Sequence, residues 1–339
     1  MTLKLVPQEK IKMDNAIRSR IKSFPFRISV TDHCNLRCFF CSNEGMPPDQ
    51  RNRKHMEYEM FGELIKILGS DMGQVSLTGG EPTLHPQIGA LVDLVNSSGI
   101  GQSFFHTNGI ELTPDLMNAG LKRFTKLAIS IHSAEYESWR NLTKGTSNQY
   151  AKLLRNLENL GEQNYGQRVE IKHVPIRGLN DSPEVIGATL DLCARYGFKF
   201  KFLNFEPIVP GQENWRIPLG ELDTKLVELG CQRLEKEDLF RGQKGYLPIN
   251  RYSYKSTGGV AIQIGCGEEE VCRFCYDSNE IFINPHFQIK PCHVDSHTID
   301  LLPDLRTANR EGLIQRIIES REFLKKSPGK DVKFWSGQK

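Results

Sequence analysis

The chain has 339 residues, of which 38% are hydrophobic and 25% are charged, a composition that suits one large globular domain with a smaller appended module. Its 44 basic residues nearly balance its 41 acidic residues, which excludes a general nucleic-acid binder. No apolar run approaches the ~20 residues of a membrane helix, which excludes an integral membrane protein.

Residues 1–23 form a basic N-terminal segment. It carries six Lys and Arg residues but has neither an apolar core nor a small-residue cleavage site, so it reads as neither a signal peptide nor an anchor. We therefore expect a cytoplasmic protein with reduced cysteines, no membrane partner and no nucleic-acid partner.

Residues 24–210 show a repeated pattern in which a short β-branched or aromatic run precedes a longer helical stretch. The predicted strands are Phe26–Thr31, Val75–Thr78, Ser103–His106, Leu127–His132, Val169–Val174 and Phe200–Phe205. Such repeats require a parallel sheet covered by helices, and six of them predict an α/β fold, a curved partial (β/α)6 barrel. The active site is then expected at the carboxyl ends of the strands.

The alternation of strand and helix patterns stops near Pro210, where we place a domain boundary. Residues 211–339 are predicted to form a smaller cysteine-containing module. A polar helix is predicted over Glu221–Lys236, and short antiparallel strands within Leu247–Ile264 and Ile281–Ile289. A last helix is predicted over Arg310–Lys326.

The nine cysteines fall mainly into two groups. Cys34, Cys38 and Cys41 have C-x3-C-x2-C spacing directly after the first strand. Three thiolates leave one iron of a four-iron cluster without a protein ligand, whereas a structural zinc site normally has four protein ligands. The spacing favours an iron–sulfur cluster, with a zinc loop as the alternative.

The second group is Cys266, Cys272, Cys275 and Cys292. Its spacing permits a second cluster with three or four cysteine ligands, depending on Cys266, and C-x2-C on a hairpin also suits structural zinc. Two cysteines stand apart: Cys193 reads as helix core and Cys231 as a helical thiol without a metal role.

The first group resembles the signature of radical S-adenosylmethionine (radical SAM) enzymes. In that family the open iron of a [4Fe–4S] cluster binds S-adenosylmethionine, which is cleaved to start hydrogen-atom abstraction. Further matches to the family follow the predicted strands. The resemblance implies that these residues bind the cofactor: Phe40, Gly79, Gly80, Glu81, Thr107, Asn108 and Ser130.

Nearly the whole chain also resembles the MoaA-type GTP cyclase of molybdenum cofactor biosynthesis. The resemblance rests on residues 27–32, 77–82, 177–181 and 211–215, and on the second cysteine group. It implies an auxiliary [4Fe–4S] cluster and substrate contacts from Arg27 and Arg177. Two features of the cyclases are missing: the Arg-x-Arg pair after Cys275, where this chain has Tyr276-Asp277-Ser278, and the C-terminal Gly-Gly tail.

The leading hypothesis is a radical SAM enzyme that takes a hydrogen atom from a small polar substrate, a nucleotide or nucleoside, and cyclises or rearranges it. Its electron donor would be a protein such as flavodoxin or ferredoxin. One alternative is a peptide-modifying radical SAM maturase with an electron-transfer auxiliary cluster. The other is a non-catalytic iron–sulfur or zinc protein. His132 and His173, at strand ends, are interpreted as structural.

Overall fold

A twelve-stranded mixed sheet forms the centre of the molecule. The computed structural model describes residues 16–41, 54–205, 207, 211–234, 249–263, 280–292 and 296–326. The strand order is β12-β11-β10-β1-β2-β3-β4-β5-β6-β9-β8-β7, and in the described chain the two outermost strands do not pair with each other, so the sheet is open. No helix within these ranges is long and apolar enough to cross a membrane.

Eight adjacent strands of this sheet, from β10 through β1–β6 to β9, run parallel. The six central strands each lie within about two residues of the predicted runs, and the α/β barrel-like fold is confirmed. The strands are β1 (Pro25–Ser29), β2 (Gln74–Thr78), β3 (Gln102–Thr107), β4 (Lys126–Ser130), β5 (Val169–His173), β6 (Lys199–Leu203), β7 (Gln232–Arg233), β8 (Ile249–Ser253), β9 (Val260–Gln263), β10 (Ile281–Ile283), β11 (Gln288–Lys290) and β12 (Ile299–Asp300).

Amphipathic helices cover the outer face of the sheet. In the helix after β1, for example, the buried side chains are the predicted ones, from Phe61 to Leu68 at helical spacing. The helices are α1 (16–22), α2 (Tyr58–Leu68), α3 (Ile88–Ser97), α4 (Tyr136–Thr143), α5 (Ser147–Glu162), α6 (Pro183–Tyr196), α7 (Leu219–Glu228), α8 (Leu302–Arg306) and α9 (Arg310–Lys326).

Capping residues fix the ends of two long helices. Thr146 and Gln149 form a capping box at the start of α5, because each side chain bonds the other residue's backbone N–H. Ser182 caps α6, Pro183 occupies its first turn, and the helix ends at Gly197, whose φ of 69° is readily adopted only by glycine. These signals return the chain to the sheet at fixed points.

Both predicted antiparallel hairpins after Pro210 exist, and both extend the barrel's own sheet. β9 pairs parallel with β6 and antiparallel with β8, while β10 pairs parallel with β1 and antiparallel with β11. The final helix is confirmed over Arg310–Lys326. The division of the chain at Pro210 stays a prediction, and residues 208–210 lie outside the described ranges.

The predicted helix over Glu221–Lys236 is wrong in its second half. α7 ends at Glu228, and Gly230, with a φ of 88°, turns the chain into β7. Cys231 is therefore not helical; it lies buried between the helix and the strand, and burial raises the pKa of its thiol to about 11. Cys193 lies fully buried in α6, as expected.

A buried carboxylate ties the C-terminal helix to the barrel. Asp71, just after α2, accepts a hydrogen bond of 2.6 Å from the Arg310 guanidinium at the start of α9, and Arg18 lies 3.9 Å from its other oxygen. The Asp71 side chain is 7% exposed, so removing it leaves the partly buried Arg310 and the more exposed Arg18 without this counter-charge.

We expect Asp71→Ala to lower the free energy of unfolding by about 2 kcal/mol, because a buried ion pair loses its anion. The midpoint of urea unfolding measures this loss. The matched control is Glu111→Ala, which removes a mostly exposed ion pair with Lys152 and should cost less than about 1 kcal/mol. Equal effects of the two changes would show that Asp71 does not anchor the helix.

Candidate active site at the carboxyl edge of the barrel

The first cysteine group lies on the loop that leaves β1 at the carboxyl edge of the sheet. Cys34, Cys38 and Cys41 are all partly exposed. The loop is held by backbone contacts: the Arg37 N–H donates to the Thr143 carbonyl at 2.9 Å, and the Cys41 N–H donates to the Cys38 carbonyl at 3.2 Å in a turn. The thiols therefore stand on a fixed loop with access to solvent.

Within the described ranges, no set of three or more His, Cys, Asp or Glu side chains gathers around a single point as a mononuclear metal site would require. In a four-iron cluster each cysteine sulfur ligates a different iron, so the three sulfurs of such a loop are spread over the cluster's corners. The donor set is three partly exposed cysteines, of which Cys34 and Cys38 border the hydrophobic core, and it fits a cluster with one open iron.

Gly79 and Gly80 follow β2 and contact the cysteine loop directly. A Cβ on Gly79 would lie 2.4 Å from the Thr31 carbonyl oxygen, and one on Gly80 would lie 2.5 Å from that of His33. The Gly80 and Glu81 N–H groups donate to these two carbonyls, each at 2.7 Å. The glycines thus allow two backbones to approach more closely than any side chain permits.

Glu81 is a buried acceptor that joins the ends of two strands, β2 and β3. One carboxylate oxygen accepts from the Thr83 hydroxyl at 2.7 Å and the Thr107 hydroxyl at 2.6 Å, and the other accepts from the Asn108 N–H at 2.6 Å. Burial raises the pKa of Glu81, and these hydrogen bonds oppose the rise. The carboxylate thereby fixes Thr107 and Asn108 at the end of β3.

Asn108 carries this arrangement back to the cysteine loop. Its side-chain amide donates to the Asn35 side-chain oxygen at 2.7 Å, and the Asn35 carbonyl accepts from Gln149 of α5 at 3.1 Å. Five predicted cofactor-binding residues therefore belong to one hydrogen-bonded or packed unit around the loop: Gly79, Gly80, Glu81, Thr107 and Asn108. Asn35 and Gln149 were missed, and their spacing in the sequence gives no signal for them.

Phe40 begins an aromatic surface beside the loop. Its ring contacts the His132 ring edge-to-face at 4.7 Å, and Phe39 contacts Trp215 in the same way at 5.0 Å. Leu142, Ile176 and Phe205 form the buried base beneath these rings. Aromatic rings next to three thiols suit the packing of a purine ring.

His132 and His173, interpreted above as structural, are both buried and lie next to Asn180, and their structural role stays a prediction. The Asn180 side-chain amide lies within hydrogen-bond distance of the His132 carbonyl, at 2.8 Å, and of the His173 ring, at 3.0 Å. Burial lowers the pKa of His132 to about 4 and that of His173 to about 3, so both rings are neutral at pH 7. Asn180, which the sequence did not single out, holds the turn after β5.

The two predicted substrate arginines lie in different places. Arg27, in the middle of β1, points to the inner side of the barrel, where it donates to the Thr78 hydroxyl at 3.5 Å. Arg177 is exposed at the rim and makes two hydrogen bonds to the Glu221 carboxylate of α7, at 3.2 and 2.7 Å. Arg177 would have to leave this ion pair to bind a substrate.

The inner face of the barrel also holds charges that the sequence reasoning did not select. They lie on strands β3 to β6, alternating with residues that pack against the helices. Ser130, a predicted cofactor contact, lies at the last position of β4 and pairs in register with Lys172. The interior charges besides Arg27 are His106, Lys126, Glu170, Lys172 and Lys201.

Of the second cysteine group, the structure describes only Cys292, a partly exposed residue just after β11. Cys266, Cys272 and Cys275 lie outside the described residues. Their role as metal ligands stays a prediction.

The site matches a known family in sequence. The model of the Radical SAM superfamily matches residues 28–199, just over half of the chain. The chain belongs to the radical SAM superfamily. Membership implies a [4Fe–4S] cluster used with S-adenosylmethionine, which agrees with the three-thiolate loop, and makes this protein a radical SAM enzyme.

Curated relatives extend the match over most of the chain. GTP 3',8-cyclase of Clostridium acetobutylicum is 28% identical over 301 residues, covering 86% of this chain and 87% of that protein. The probable GTP 3',8-cyclase of Methanococcus maripaludis is 23% identical over 327 residues, covering 92% and 99%. The protein is thus MoaA-like in sequence, at modest identity.

Solved structures show the same fold. Streptococcus suis SuiB bound to the precursor peptide SuiA superposes with a TM-score of 0.61 at 15% identity, covering 92% of this chain and 72% of that one. The AdoMet-bound anSMEcpe structure gives a TM-score of 0.59 at 14% identity, covering 91% and 84%. At these identities the likeness establishes the fold alone.

We expect Gly80→Ala to reduce the iron bound at the first cysteine group to less than about half, because its methyl group would clash with backbone that cannot move aside. Iron analysis after anaerobic reconstitution measures this. The control is Gly89→Ala in α3, where an added Cβ meets nothing within 4 Å. Full iron content in Gly80→Ala would contradict the importance of this contact.

Proposed function

We propose that this radical SAM enzyme abstracts a hydrogen atom from a small polar substrate, a nucleotide or nucleoside, and cyclises or rearranges it. The observation that carries the proposal is the cysteine loop joined through Glu81, Asn108 and Asn35 to the β3 strand end, above a polar barrel interior. The relatives named GTP 3',8-cyclase, aligned over most of the chain, support a purine nucleotide as the substrate class.

In this proposal the cluster would be held by Cys34, Cys38 and Cys41, and together with S-adenosylmethionine it supplies a 5′-deoxyadenosyl radical. Phe40 gives the adenine a ring to pack against. Ser130, at the end of β4, would lie between the cofactor and the interior. The chain's own part is to orient the cofactor and to keep water from the reacting atoms.

The proposed substrate is the nucleotide class rather than GTP itself, because the two arginines that follow Cys275 in the cyclases are replaced by Tyr276-Asp277-Ser278. Losing two guanidinium groups and gaining a carboxylate weakens the binding of a triphosphate at that position. A substrate with fewer phosphates, or one held from the barrel side, fits this sequence better. The proposed electron donor is flavodoxin or ferredoxin.

The first test is cofactor cleavage. Anaerobically reconstituted, dithionite-reduced protein should convert S-adenosylmethionine to 5′-deoxyadenosine and methionine, and addition of a purine nucleotide should increase the rate. Cys38→Ala should abolish cleavage, because the cluster loses a ligand. Cys193→Ala, which changes a buried thiol far from the loop, is the matched control and should retain activity. Unchanged cleavage by Cys38→Ala would refute the proposal.

A peptide-modifying function is the second candidate, because Cys266 offers a fourth ligand to the auxiliary cluster, and a closed cluster suits electron transfer rather than substrate binding. With two four-iron clusters the protein should contain about eight irons, and Cys272→Ala combined with Cys275→Ala should leave about four.

The single change Cys266→Ala separates the two functions. An unchanged iron content and spectrum would mean that Cys266 is no ligand and would favour direct binding of a nucleotide at an open iron. A labile auxiliary cluster, or one that newly binds a nucleotide, would favour electron transfer and a peptide substrate. Stoichiometric zinc with a single four-iron cluster would contradict both versions.

A further inference from the structure

The interior of the barrel is lined by charged and polar side chains. A closed (β/α)8 barrel, by contrast, fills its interior with branched apolar residues. Here Val169 and Ile171 of β5 are buried against the helices, whereas the alternating residues Glu170 and Lys172 face the other side of the sheet. Lys172 and His106 are only partly buried, so the interior at their level is accessible.

Two of the interior lysines share the single carboxylate of Glu170. The Glu170 carboxylate lies 3.5 Å from the Lys126 ammonium and 3.3 Å from that of Lys201. These cations and Lys172 hold the pKa of Glu170 at about 2, despite the opposing effect of burial. Glu170 is therefore ionised throughout the physiological pH range and is the counter-ion of Lys126 and Lys201.

Lys172 lies two residues further along β5, towards the carboxyl edge, and has a different environment. Its Nζ lies 2.9 Å from Nδ1 of His106 on β3, and in the described chain no carboxylate lies within ion-pair distance of it. Its register neighbours are Ser130 on β4 and Lys201 on β6. Arg27 on β1 adds a further positive charge towards it.

Desolvation, together with the charges of Arg27, Lys201 and Lys126, lowers the pKa of Lys172 to about 7, while Glu170 opposes the change. Burial and the Lys172 charge also place the pKa of His106 well below its usual value, so this ring is neutral at pH 7. The proton that titrates in the Lys172–His106 pair is therefore on Nζ of Lys172 below about pH 7, and it is lost above that pH.

We propose that Lys172, positioned by His106, forms an anion-binding site inside the barrel, and that an ammonium proton is taken up from solvent when a phosphate or carboxylate group of the substrate binds. This inference deepens the proposed function, because the anion is the charged end of the proposed substrate. The ammonium can donate one hydrogen bond to His106 Nδ1 and still has two N–H groups for the ligand. No covalent bond forms or breaks besides the N–H bond.

The coupling follows from electrostatics. An anion within about 4 Å of Nζ favours the charged amine, which raises its pKa. The same free energy makes the anion bind more tightly to the protonated protein. Since Lys172 loses its proton as the pH rises through about 7, the affinity should be highest below that pH and fall above it. An arginine at this position would stay charged throughout.

The test is isothermal titration calorimetry of the reconstituted full-length protein, without S-adenosylmethionine, at about pH 6.5 and 8.5, a range in which the Lys172 proton is bound at one end and lost at the other. The probes are inorganic sulfate, a tetrahedral oxyanion whose charge is constant in this range, and malonate, a dicarboxylate. Repeating each titration in buffers of different ionisation enthalpy measures the protons taken up. The tighter-binding probe identifies the anion as phosphate-like or carboxylate.

We expect the wild-type affinity to fall about tenfold or more between the two pH values, with proton uptake near pH 8. Lys172→Arg should bind equally at both pH values and take up no proton, because a guanidinium never loses its charge. Lys172→Met should lose about tenfold in affinity at pH 6.5. Lys152→Met, on the outer surface beside Glu111, should match wild type.

A wild-type affinity that does not depend on pH, or a Lys172→Met variant that binds like wild type, would overturn the inference. Lys172→Arg keeps the positive charge, so the number of protons that it takes up on binding tests the inference even if Lys172→Met does not fold. The measurement needs no cofactor cleavage. A protein that binds the anions but fails to cleave S-adenosylmethionine would refute the proposed function alone, and the reverse result would refute this site alone.

Discussion

The candidate site depends on the contact between two stretches of backbone, Thr31–His33 and Gly79–Gly80. The carbonyl oxygens of the first stretch occupy the space where the second would carry side chains. Two hydrogen bonds of 2.7 Å join them. These bonds, donated by Gly80 and Glu81, fix the start of the cysteine loop against the end of β2, and the bond from Arg37 to Thr143 holds the loop further along.

Glu81 extends this constraint to β3. A buried carboxylate is costly unless its oxygens are satisfied, and here both oxygens accept hydrogen bonds, from donors that follow β2 and from donors at the end of β3. The same residue that continues the glycine contact therefore orders Thr107 and Asn108. The consequence is a rigid rim on the side of β2 and β3. The thiols of the cysteine loop remain accessible above it. Rigid support beneath open metal ligands is what positions a reactive cofactor.

Much of this arrangement was predictable from the sequence. The six strands, the position of the motifs at their carboxyl ends and the final helix follow from periodicity and from Gly and Asn punctuation. The helix predicted through Cys231 was wrong because Gly230, in the left-handed region, ends it. The spacing of apolar residues, on which the prediction was based, gives no sign of a single glycine in that conformation. The partners of Glu81 could not be predicted, because they depend on strand register and on side-chain direction.

The interior charges were overlooked for a related reason. Alternating charged and apolar residues, as in Val169–His173, read equally well as a strand with one face in solvent. Only the curvature of the open sheet into a partial barrel turns that face inward, where the Glu170 carboxylate pairs with Lys126 and Lys201 and Lys172 lies beside them. The signal that could have identified these interior residues is the alternation of charged and apolar residues in a strand with a helical crossover before it and another after it.

The interior charges also bear on the arginines that this chain lacks after Cys275. A guanidinium binds a phosphate with two parallel hydrogen bonds and keeps its charge at any physiological pH. A partly desolvated lysine offers a compact charge, and that charge exists only when the proton is bound. A substrate whose anionic end is held by Lys172 has that end at the level of Ser130, near the carboxyl edge where the cysteine loop leaves β1, and its binding depends on the Lys172 proton.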